Sequence, residues 1–324
     1  MLQSRLFQGF RIVPIVVVKI LIALSLDQWL GETRRWHPLV GFGHLAANLE
    51  SRFNRHPASR TSIGPGLIAW LIAVVPWVGL SVWLSATPAG FVFEIAVLYL
   101  AVGRKSLFQH SQRVYQALSS NNLEQGRYHA SRMVSRDCSS LDQSGCARAT
   151  TESVLENGSD SIFGALFWFA LLGAPGAVLY RLANTLDAMW GYRNHRFLWF
   201  GAPAAHLDDL LNLVPARLCA LCYAFAGRTS NAIASWRRFA RQLSSPNGGP
   251  VMAAGAGAIN VRLGGPAVYH GVEQDKPYFG GEEECRPEHI VQANRLVDRS
   301  LLIFILLFSV LAYTGHWFVT GEAL

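Results

Sequence analysis

Long uncharged runs alternate along this chain with segments dense in arginine, aspartate, asparagine and glycine. Residues 66–86 contain no charged side chain and are long enough to cross the roughly 30 Å hydrocarbon core of a bilayer as a helix. Residues 301–319 form a second uncharged run, and His316 and Trp317 lie near its end, where amphipathic rings suit the lipid headgroup boundary. Both runs predict membrane-spanning helices.

Two further apolar runs each carry one charge. Residues 12–26 contain Lys19, and residues 89–103 contain Glu94. A charge near a helix centre costs about 2.5 to 3.5 kcal/mol on insertion, whereas each Val, Ile or Leu contributes roughly −0.5 kcal/mol. We therefore expect both runs to span the membrane, and Lys19 and Glu94 could face each other inside the helix bundle.

Two other apolar segments are less regular. Residues 162–182 contain the sequence GAPG from Gly173 onward, which would break or kink a helix, so this segment is either a kinked span or a re-entrant hairpin. Residues 213–227 include Arg217 and are predicted to lie at the membrane interface or against other helices. The pattern predicts an all-α, polytopic integral membrane protein with four to six transmembrane or re-entrant helices and helical cytoplasmic segments.

Composition supports a membrane protein, because 51% of the residues are hydrophobic and only 15% are charged, against about 25% charged in soluble domains. The net charge of +7 comes mainly from arginines in the polar segments. The positive-inside rule places residues 27–65 and 104–161 in the cytoplasm, and we expect residues 228–300 there as well. Because no basic module with interleaved aromatic residues occurs, nucleic acid is not an expected partner. No secretory cleavage site follows the first apolar run, so we expect that run to remain as an anchor.

The polar segment 104–161 is predicted to form soluble helices with a turn at SRDCSSLD, which contains Arg136. Four charged residues then recur at every fourth position, joined by one amide: Arg148, Glu152, Glu156, Asp160 and Asn157. On a helix they form a single stripe. A solvated helix face would explain the stripe, but carboxylates beside a bilayer favour a cation, a metal or a substrate that offsets their desolvation.

Residues 180–194 place polar side chains on one helix face and in the turn that follows it. They are Arg181, Asn184, Asp187, Arg193 and Asn194. Guanidinium donors mixed with such acceptors suit a bound phosphate or carboxylate. A helix cap with internal ion pairs is the alternative interpretation.

Residues 206–217 place Asp208 and Asp209 at a predicted helix start, with Asn212 one turn after Asp208. Acidic residues at a helix start are often caps. Alternatively, this group could bind Mg²⁺, which takes one or two carboxylates and leaves its other positions to phosphate oxygens and water. Arg217 lies within apolar sequence, where an unpaired guanidinium is costly.

Glycine-rich turns follow later in the chain. Arg262 begins the string RLGGPAVYHG, whose glycines could turn backbone N–H groups toward an anion. SPNGG and PYFGG add further turns, and together these strings predict a long, mobile loop. The sequence contains no GxxxxGK[ST], HExxH, GxSxG or GxGxxG motif, so any ATP would be bound without the commonest phosphate loop.

Taken in this order, the segments resemble the CobD/CbiB family, the adenosylcobinamide-phosphate synthases of cobalamin biosynthesis. The resemblance extends over nearly the whole chain through LDQWLGETRRWHPLVGFGHL, SRDCSSLD, ESVLENGSD, YRLANTLDAMWGYRN, HLDDLLNLVPARL, SPNGG, VRLGGPAVYHG and PYFGG. The sequence departs from the family pattern at Gly31 and Glu32, where Gly-Asp-Pro is typical, at Gly158, where Thr is typical, and at Ser161, where Gly is typical. These departures leave the substrate preference open.

The resemblance implies a multi-pass enzyme of the bacterial inner membrane whose active site faces the cytoplasm. It would join adenosylcobyric acid to (R)-1-amino-2-propanol O-phosphate, or a related amino-alcohol phosphate, through an amide bond, using ATP and Mg²⁺. Its catalytic candidates are the carboxylates Glu152, Glu156, Asp160, Asp187, Asp208 and Asp209, of which Glu152, Glu156, Asp208 and Asp209 are the candidate Mg²⁺ ligands. Its candidate substrate-binding residues are Arg136, Asn157, Arg181, Asn184, Arg193, Asn194, Arg217 and Arg262.

Two other functional classes compete with this interpretation. A non-catalytic membrane sensor from the same family should have lost the acidic and asparagine positions, which this sequence keeps. A transporter should show repeated halves with paired broken helices, whereas one broken segment is visible. The expected partners are the corrinoid and amino-alcohol phosphate substrates, membrane lipid, and either other late cobalamin-pathway enzymes or a second copy of the chain.

Overall fold

The computed structural model describes residues 12–32, 37–57, 59–269 and 272–320. Its helices are α1 (Ile12–Leu30), α2 (Pro38–Phe53), α3 (Ile63–Ser85), α4 (Gly90–Ala101), α5 (Arg104–Ser119), α6 (Leu123–Ala130), α7 (Gln143–Gly158), α8 (Gly164–Leu172), α9 (Ala174–Trp190), α10 (Ala202–Ala226), α11 (Thr229–Phe239), α12 (Gly248–Ala258) and α13 (Glu288–Thr320). Short 3-10 helices cover Arg60–Ser62 and Ala240–Gln242, and a π-helical turn covers Ser159–Phe163. The fold is mostly helical, as the sequence predicts.

Five short strands lie between α12 and α13: β1 (Val261–Gly264), β2 (Ala267–Tyr269), β3 (Val272–Gln274), β4 (Tyr278–Gly280) and β5 (Glu283–Glu284). β1 pairs antiparallel with β4 and parallel with β5, whereas β2 and β3 form a separate antiparallel pair. In the first sheet, Leu263 lies opposite Phe279. The expectation of a long loop is therefore wrong for residues 261–284, because RLGGPAVYHG and PYFGG contribute to paired strands, whereas SPNGG forms the turn before α12.

The chain divides into two compact units. The first comprises residues up to Gly103 and Asp160–Asn212, and the second comprises Arg104–Ser159 and the residues from Leu213 onward. In the first unit, α2, α3 and α9 pack around a buried apolar core. Ala46, Ala73 and Ala183 have no exposed surface, and their small side chains let the helices approach closely.

Two described helices are long and apolar enough to cross a membrane. They are the stretch Arg60–Ser85, which contains α3, and the helix α10. Large apolar side chains are also exposed on α1, α3 and α13: Ile15, Val18, Leu21, Leu71, Val75, Trp83, Leu302, Leu306 and Val310. Exposed apolar side chains in such number on one helix are typical of a surface that contacts a membrane or a partner. The count of four to six spans stays a prediction, and the side chains of His316 and Trp317 lie outside the described residues.

The broken apolar segment forms a helical hairpin. The chain reverses at Gly173, which has φ +66°. A Cβ atom at Gly164 would lie 2.1 Å from the Tyr180 ring, and one at Gly176 would lie 2.2 Å from the carbonyl oxygen of Trp168. These contacts show that α8 and α9 run antiparallel, and that the two glycines leave room for the Tyr180 ring and for the backbone at Trp168. α8 has nine residues and spans about 14 Å, and it follows the π-helical turn Ser159–Phe163 without a break in the helix, so the choice between a kinked span and a re-entrant hairpin stays a prediction. The position of this segment in a bilayer also stays a prediction.

An ion pair joins α1 to α4 within the first unit. Lys19 Nζ lies 2.6 Å from Glu94 Oε2, and the two side chains are 13% and 16% exposed. A Cβ atom built on Gly173 would lie 3.3 Å from Glu94 Oε1, so the pair lies beside the turn of the hairpin. The prediction that these two charges face each other is confirmed.

We expect Lys19→Met to destabilise the protein by about 3 to 5 kcal/mol, because it leaves the Glu94 carboxylate buried without its cation. The double variant Lys19→Met with Glu94→Leu should recover most of this loss. Thermal unfolding in detergent micelles measures both effects, with the exposed Arg52→Met as the control. Equal stability of the single and double variants would show that the pair is not coupled.

The second unit is built from helices around α7 and from the first sheet. The predicted helices of the polar segment are confirmed as α5, α6 and α7, which pack against one another. Asp142 caps α7 by accepting a 2.6 Å hydrogen bond from the backbone N–H of Gly145. α12 consists largely of glycine and alanine and packs closely against α11, where Ser235 Oγ donates to the carbonyl oxygen of Ala253 at 2.7 Å. This scaffold fixes α7 next to β1.

Candidate functional site

A buried ion pair lies at the middle of α7. Glu152 Oε2 accepts from Arg136 Nη2, and each side chain of the pair is 9% exposed. Glu152 Oε1 accepts a second hydrogen bond, 2.7 Å long, from the backbone N–H of Gly264. Both carboxylate oxygens are therefore held by donors, as a buried charge requires.

The glycines of β1 explain how this backbone N–H reaches Glu152. Gly264 and Gly265 have φ values of +82° and +83°, which non-glycine residues rarely adopt. A Cβ atom on Gly264 would also lie 2.2 Å from the carbonyl oxygen of Pro277. The sequence predicts that this turn directs an N–H group to an anion, and in the structure that anion is the carboxylate of Glu152.

Glu156 lies one turn after Glu152 and is half-buried. A Cβ atom on Gly248, the first residue of α12, would lie 2.7 Å from Glu156 Oε1, so the carboxylate rests against the start of that helix. Burial, together with the negative charge of Glu152, raises the pKa of Glu156, and the charges of Lys276 and Arg136 offset part of this rise. A glutamate with a raised pKa is suited to proton transfer near neutral pH.

Arg148 and Arg262 stack on one aromatic ring in the same unit. The guanidinium carbons of Arg148 and Arg262 lie 5.6 Å and 5.5 Å from the centre of the Tyr278 ring, which are cation–π distances. The β1–β4 register, in which Gly264 lies opposite Tyr278, brings this ring beside the glycine turn. We call the following set the Glu152 cluster: Arg136, Arg148, Glu152, Glu156, Arg262, Lys276 and Tyr278.

The sequence predictions for the Glu152 cluster were incomplete. Lys276 and Tyr278 are not among the candidates that the sequence suggests. Lys276 directly precedes PYFGG and Tyr278 lies within it, and their position depends on strand pairing. Asn157, which was a candidate, is exposed, and its Nδ2 donates to the carbonyl oxygen of Ser153 at 2.9 Å. The structure thus gives Asn157 a local contact within α7.

A second polar group lies in the first unit, around Asp208. Its Oδ1 accepts from Asn184 Nδ2 at 3.3 Å, and its Oδ2 accepts from Asn212 Nδ2 at 3.2 Å. Tyr180 donates its hydroxyl to Asn212 Oδ1 at 2.8 Å. The same hydroxyl lies 3.0 Å from the carbonyl oxygen of Asp160, which belongs to the π-helical turn. This network links α9 and the π-helical turn before α8 to α10.

The interpretation of Asp208 as a helix cap is wrong. α10 begins at Ala202, so Asp208 and Asp209 lie inside the helix, two turns beyond its start. Asp208 is 8% exposed. An acidic pair before an apolar run is typical of a helix cap, but here Asp208 lies on the buried face of a helix that has already begun. Asp209 is half-buried and also has contacts.

The other candidates of residues 180–194 separate in space along α9 and the loop after it. Asp187 Oδ1 is 2.0 Å from the position of a Cβ atom on Gly191, so this carboxylate packs against the end of α9. Asn194 Oδ1 accepts from the backbone N–H groups of Arg196 and Phe197, both at 3.0 Å. Arg193 is exposed in the same loop. Asp187 and Asn194 therefore support the turn, which agrees with the capping alternative.

Arg217 binds the SPNGG loop. Its Nη1 donates to Asn247 Oδ1 at 2.7 Å and to the carbonyl oxygen of Leu213 at 2.8 Å, and its Nη2 donates to that of Pro246 at 3.1 Å. The cost of a guanidinium in apolar sequence is thus offset by three acceptors. Because this loop leads into α12, Arg217 fixes the helix start against which Glu156 lies.

The described residues contain no group of three or more His, Cys, Asp or Glu side chains placed to hold a metal ion. The oxygens of Glu152 and Asp208 already accept hydrogen bonds, which makes these two the weaker candidates for Mg²⁺. The carboxylates present do fit an ion that takes one or two of them and completes its shell with phosphate oxygens and water.

Comparison with known proteins agrees with the resemblance. A family model described as CobD/Cbib protein matches residues 20–297. The cobalamin biosynthesis protein CobD of Stutzerimonas stutzeri (strain A1501) is 52% identical over 292 residues, which cover 90% of this chain and 96% of the relative. That of Chromobacterium violaceum is 50% identical, covering 87% and 92%, and that of Rhodobacter capsulatus is 36% identical, covering 86% and 92%.

No solved structure matches this chain. The family match includes α7, the hairpin, and the strands that form the Glu152 cluster. The chain belongs to the CobD/CbiB family of cobalamin biosynthesis proteins.

Proposed function

We propose that this chain is the amide-bond-forming synthase of the pathway, which joins adenosylcobyric acid to an amino-alcohol phosphate such as (R)-1-amino-2-propanol O-phosphate. The observation that carries the proposal is the Glu152 cluster. Its half-buried Glu156 has a raised pKa and lies within the influence of Arg136 and Lys276, and Arg148 and Arg262 stack on the Tyr278 ring. Amide formation needs both features, since it removes a proton from an ammonium group and develops negative charge on carboxyl and phosphate oxygens.

Glu156 is the proposed general base. The amine of the amino-alcohol phosphate arrives protonated and must lose a proton before it attacks a carboxyl carbon. A carboxylate whose pKa is raised toward neutrality removes that proton more effectively than one with an ordinary pKa. Glu152 cannot easily take this role, because Arg136 and the Gly264 N–H hold both of its oxygens.

Arg148 and Arg262 are the proposed anion-binding groups. Each guanidinium is oriented by the ring of Tyr278 and can bind two oxygens of one phosphate or carboxylate. Arg136 is instead a positioning residue, because it holds Glu152 and thereby the glycine turn. In this assignment the phosphate oxygens of ATP and water would hold Mg²⁺, Glu156 acts as the base, and ATP would supply the activation of the corrinoid carboxylate.

The proposed location is the inner membrane, with the Glu152 cluster on the cytoplasmic side where ATP is available. The exposed apolar faces of α1, α3 and α13 support membrane insertion. The arginine-rich segment that leads into α7 supports the orientation. Cysteine labelling from each side of the membrane tests this scheme, and periplasmic labelling at position 132 in the exposed turn after α6 would contradict it.

The activity is tested with purified protein in detergent, given the corrinoid acid, the amino-alcohol phosphate, ATP and Mg²⁺. We expect the mass spectrum to show the amide product only when all four are present. Omitting each component in turn is the control. A folded protein that gives no product with any amino-alcohol phosphate would favour the alternative, a non-catalytic sensor of the same family.

The acid limb of the pH–rate profile should report the titration of Glu156. The base acts when it is deprotonated, so kcat/KM should rise with pH through a pKa above the ordinary glutamate value, because burial and Glu152 raise it. Lys276→Gln removes a charge that lowers this pKa, so the limb should move to higher pH. The exposed Arg237→Gln is the charge-matched control, and an unmoved limb in Lys276→Gln would contradict the assignment.

A further inference from the structure

A cavity of about 560 Å³ lies within the first unit, between α2, α3, α4 and α9. Its walls are almost entirely apolar and include Leu45, Trp77, Leu84 and Phe93. The α3 wall belongs to a helix long and apolar enough to cross a membrane. A space of this size and lining suits a hydrocarbon chain.

One end of the cavity is polar. Arg181 and His37 line the cavity and also line a smaller adjoining recess, whose other walls include Asp27, Glu32 and Tyr99. The lining of the cavity is apolar. At the junction with the recess it includes a guanidinium and an imidazole, and in the recess it includes two carboxylates. This order matches an amphiphile with its polar group at the recess.

Arg181 contributes an unsatisfied donor at this junction. Its Nε is buried and has no hydrogen-bond partner among the described residues. Buried side-chain donors are nearly always paired, and leaving one unpaired is costly. A guanidinium is well suited to phosphate oxygens, so the donor indicates a bound phosphate.

His37 adds a neutral donor. Its Nδ1 accepts from the backbone N–H of Leu39 at 3.2 Å, which leaves Nε2 to carry the proton. Burial, together with the charge of Arg181, lowers the pKa of His37, and Glu32 offsets part of this, so the site favours the neutral ring. Among the described residues of the recess, Arg181 thus provides the positive charge, while Asp27 and Glu32 provide negative charge. A zwitterion fits this arrangement better than a simple anion does.

We propose that the cavity and recess bind a phospholipid with a primary-amine zwitterionic headgroup, of the phosphatidylethanolamine type. Its phosphate binds Arg181 and His37, its ammonium group lies toward Asp27 and Glu32, and one acyl chain fills the apolar cavity. The phosphate-binding role that the sequence predicts for Arg181 is thereby assigned to a lipid. This proposal is independent of the proposed catalytic function, because it uses none of the Glu152 cluster.

Native mass spectrometry of the delipidated full-length protein tests the proposal. Phosphatidylethanolamine, phosphatidylglycerol and phosphatidylcholine with identical acyl chains are each added in detergent. We expect retention of phosphatidylethanolamine to exceed that of the other two by about tenfold, and Arg181→Gln to lose about tenfold or more of that retention, as for a charge-assisted hydrogen bond. Asp27→Asn with Glu32→Gln should remove the preference over phosphatidylglycerol.

Further variants keep the test decisive if Arg181→Gln does not fold. Leu80→Trp narrows the cavity from α3 and leaves the polar end unchanged, so it should also reduce lipid retention. The control is Arg237→Gln, which replaces an exposed arginine of the second unit and should not change lipid retention. Equal retention of all three lipids by the wild-type protein would overturn the headgroup assignment. Displacement of the lipid by free ethanolamine phosphate at equal concentration would assign the recess to a soluble amino-alcohol phosphate and overturn the lipid proposal.

Discussion

Glu156→Gln should lower kcat by about 10²- to 10⁴-fold, the usual contribution of a positioned general base. Glutamine keeps the size of the side chain and its place against the start of α12, but it cannot accept a proton from the ammonium group. Because substrate phosphates are proposed to bind Arg148 and Arg262, KM should change much less than kcat. Steady-state kinetics of amide formation measure both quantities.

The control for this variant is Glu124→Gln, which removes a carboxylate from an exposed position on α6. Its kcat should equal that of the wild-type protein. Thermal unfolding of Glu156→Gln should show that it remains folded. If a folded Glu156→Gln variant turns over within about twofold of wild type, far less than the loss expected for a general base, Glu156 is not the base.

Glu152→Leu should destabilise the protein by about 3 to 5 kcal/mol, because it leaves the Arg136 guanidinium buried without its carboxylate. The Gly264 N–H also loses its acceptor, which adds about 1 to 3 kcal/mol if water does not replace it. Chemical or thermal unfolding in detergent measures the change. The glycine turn should loosen at the same time, so product formation should fall as well.

A double-mutant cycle separates the contribution of the ion pair to the free energy of unfolding from the contribution of side-chain packing. Arg136→Met combined with Glu152→Leu replaces both charges by apolar groups and should be more stable than Glu152→Leu alone. Glu152→Gln, which can still accept from the Gly264 N–H, should fall between the wild type and Glu152→Leu. Additive effects of the two single substitutions would show that Arg136 and Glu152 do not interact in the folded protein.

Periodicity alone predicted the parts of the site that lie on one helix. The four-residue spacing of Arg148, Glu152 and Glu156 places them on one face of α7, and all three belong to the Glu152 cluster. Similarly, GAPG predicted the break at Gly173, and the single charges in two apolar runs predicted the pairing of Lys19 with Glu94.

Features that depend on strand register were not predictable in the same way. Tyr278 reaches Arg148 and Arg262 only because β1 pairs with β4 at Gly264. The strands of this sheet have two to four residues, and two of them end in glycine, so their composition indicates turns rather than a sheet. Lys276 was missed for the same reason.

The start of α10 was also misplaced, because the sequence signal for a cap is local. Asp208 precedes an apolar run, as a capping residue does. The true boundary lies at Gly201, where a Cβ atom would be 1.7 Å from the carbonyl oxygen of Trp190. This close contact with the end of α9 is a tertiary constraint. Local residue preferences therefore do not predict it.

The central claim, that this protein activates a corrinoid carboxylate and converts it to an amide, is tested most directly by oxygen-isotope transfer. Adenosylcobyric acid labelled with ¹⁸O in the reacting carboxylate is incubated with the purified protein, the amino-alcohol phosphate, ATP and Mg²⁺. We predict that each amide formed keeps one ¹⁸O atom and that the other appears in a phosphorus-containing product of ATP. Amide formation with the second ¹⁸O atom released as water would contradict the account.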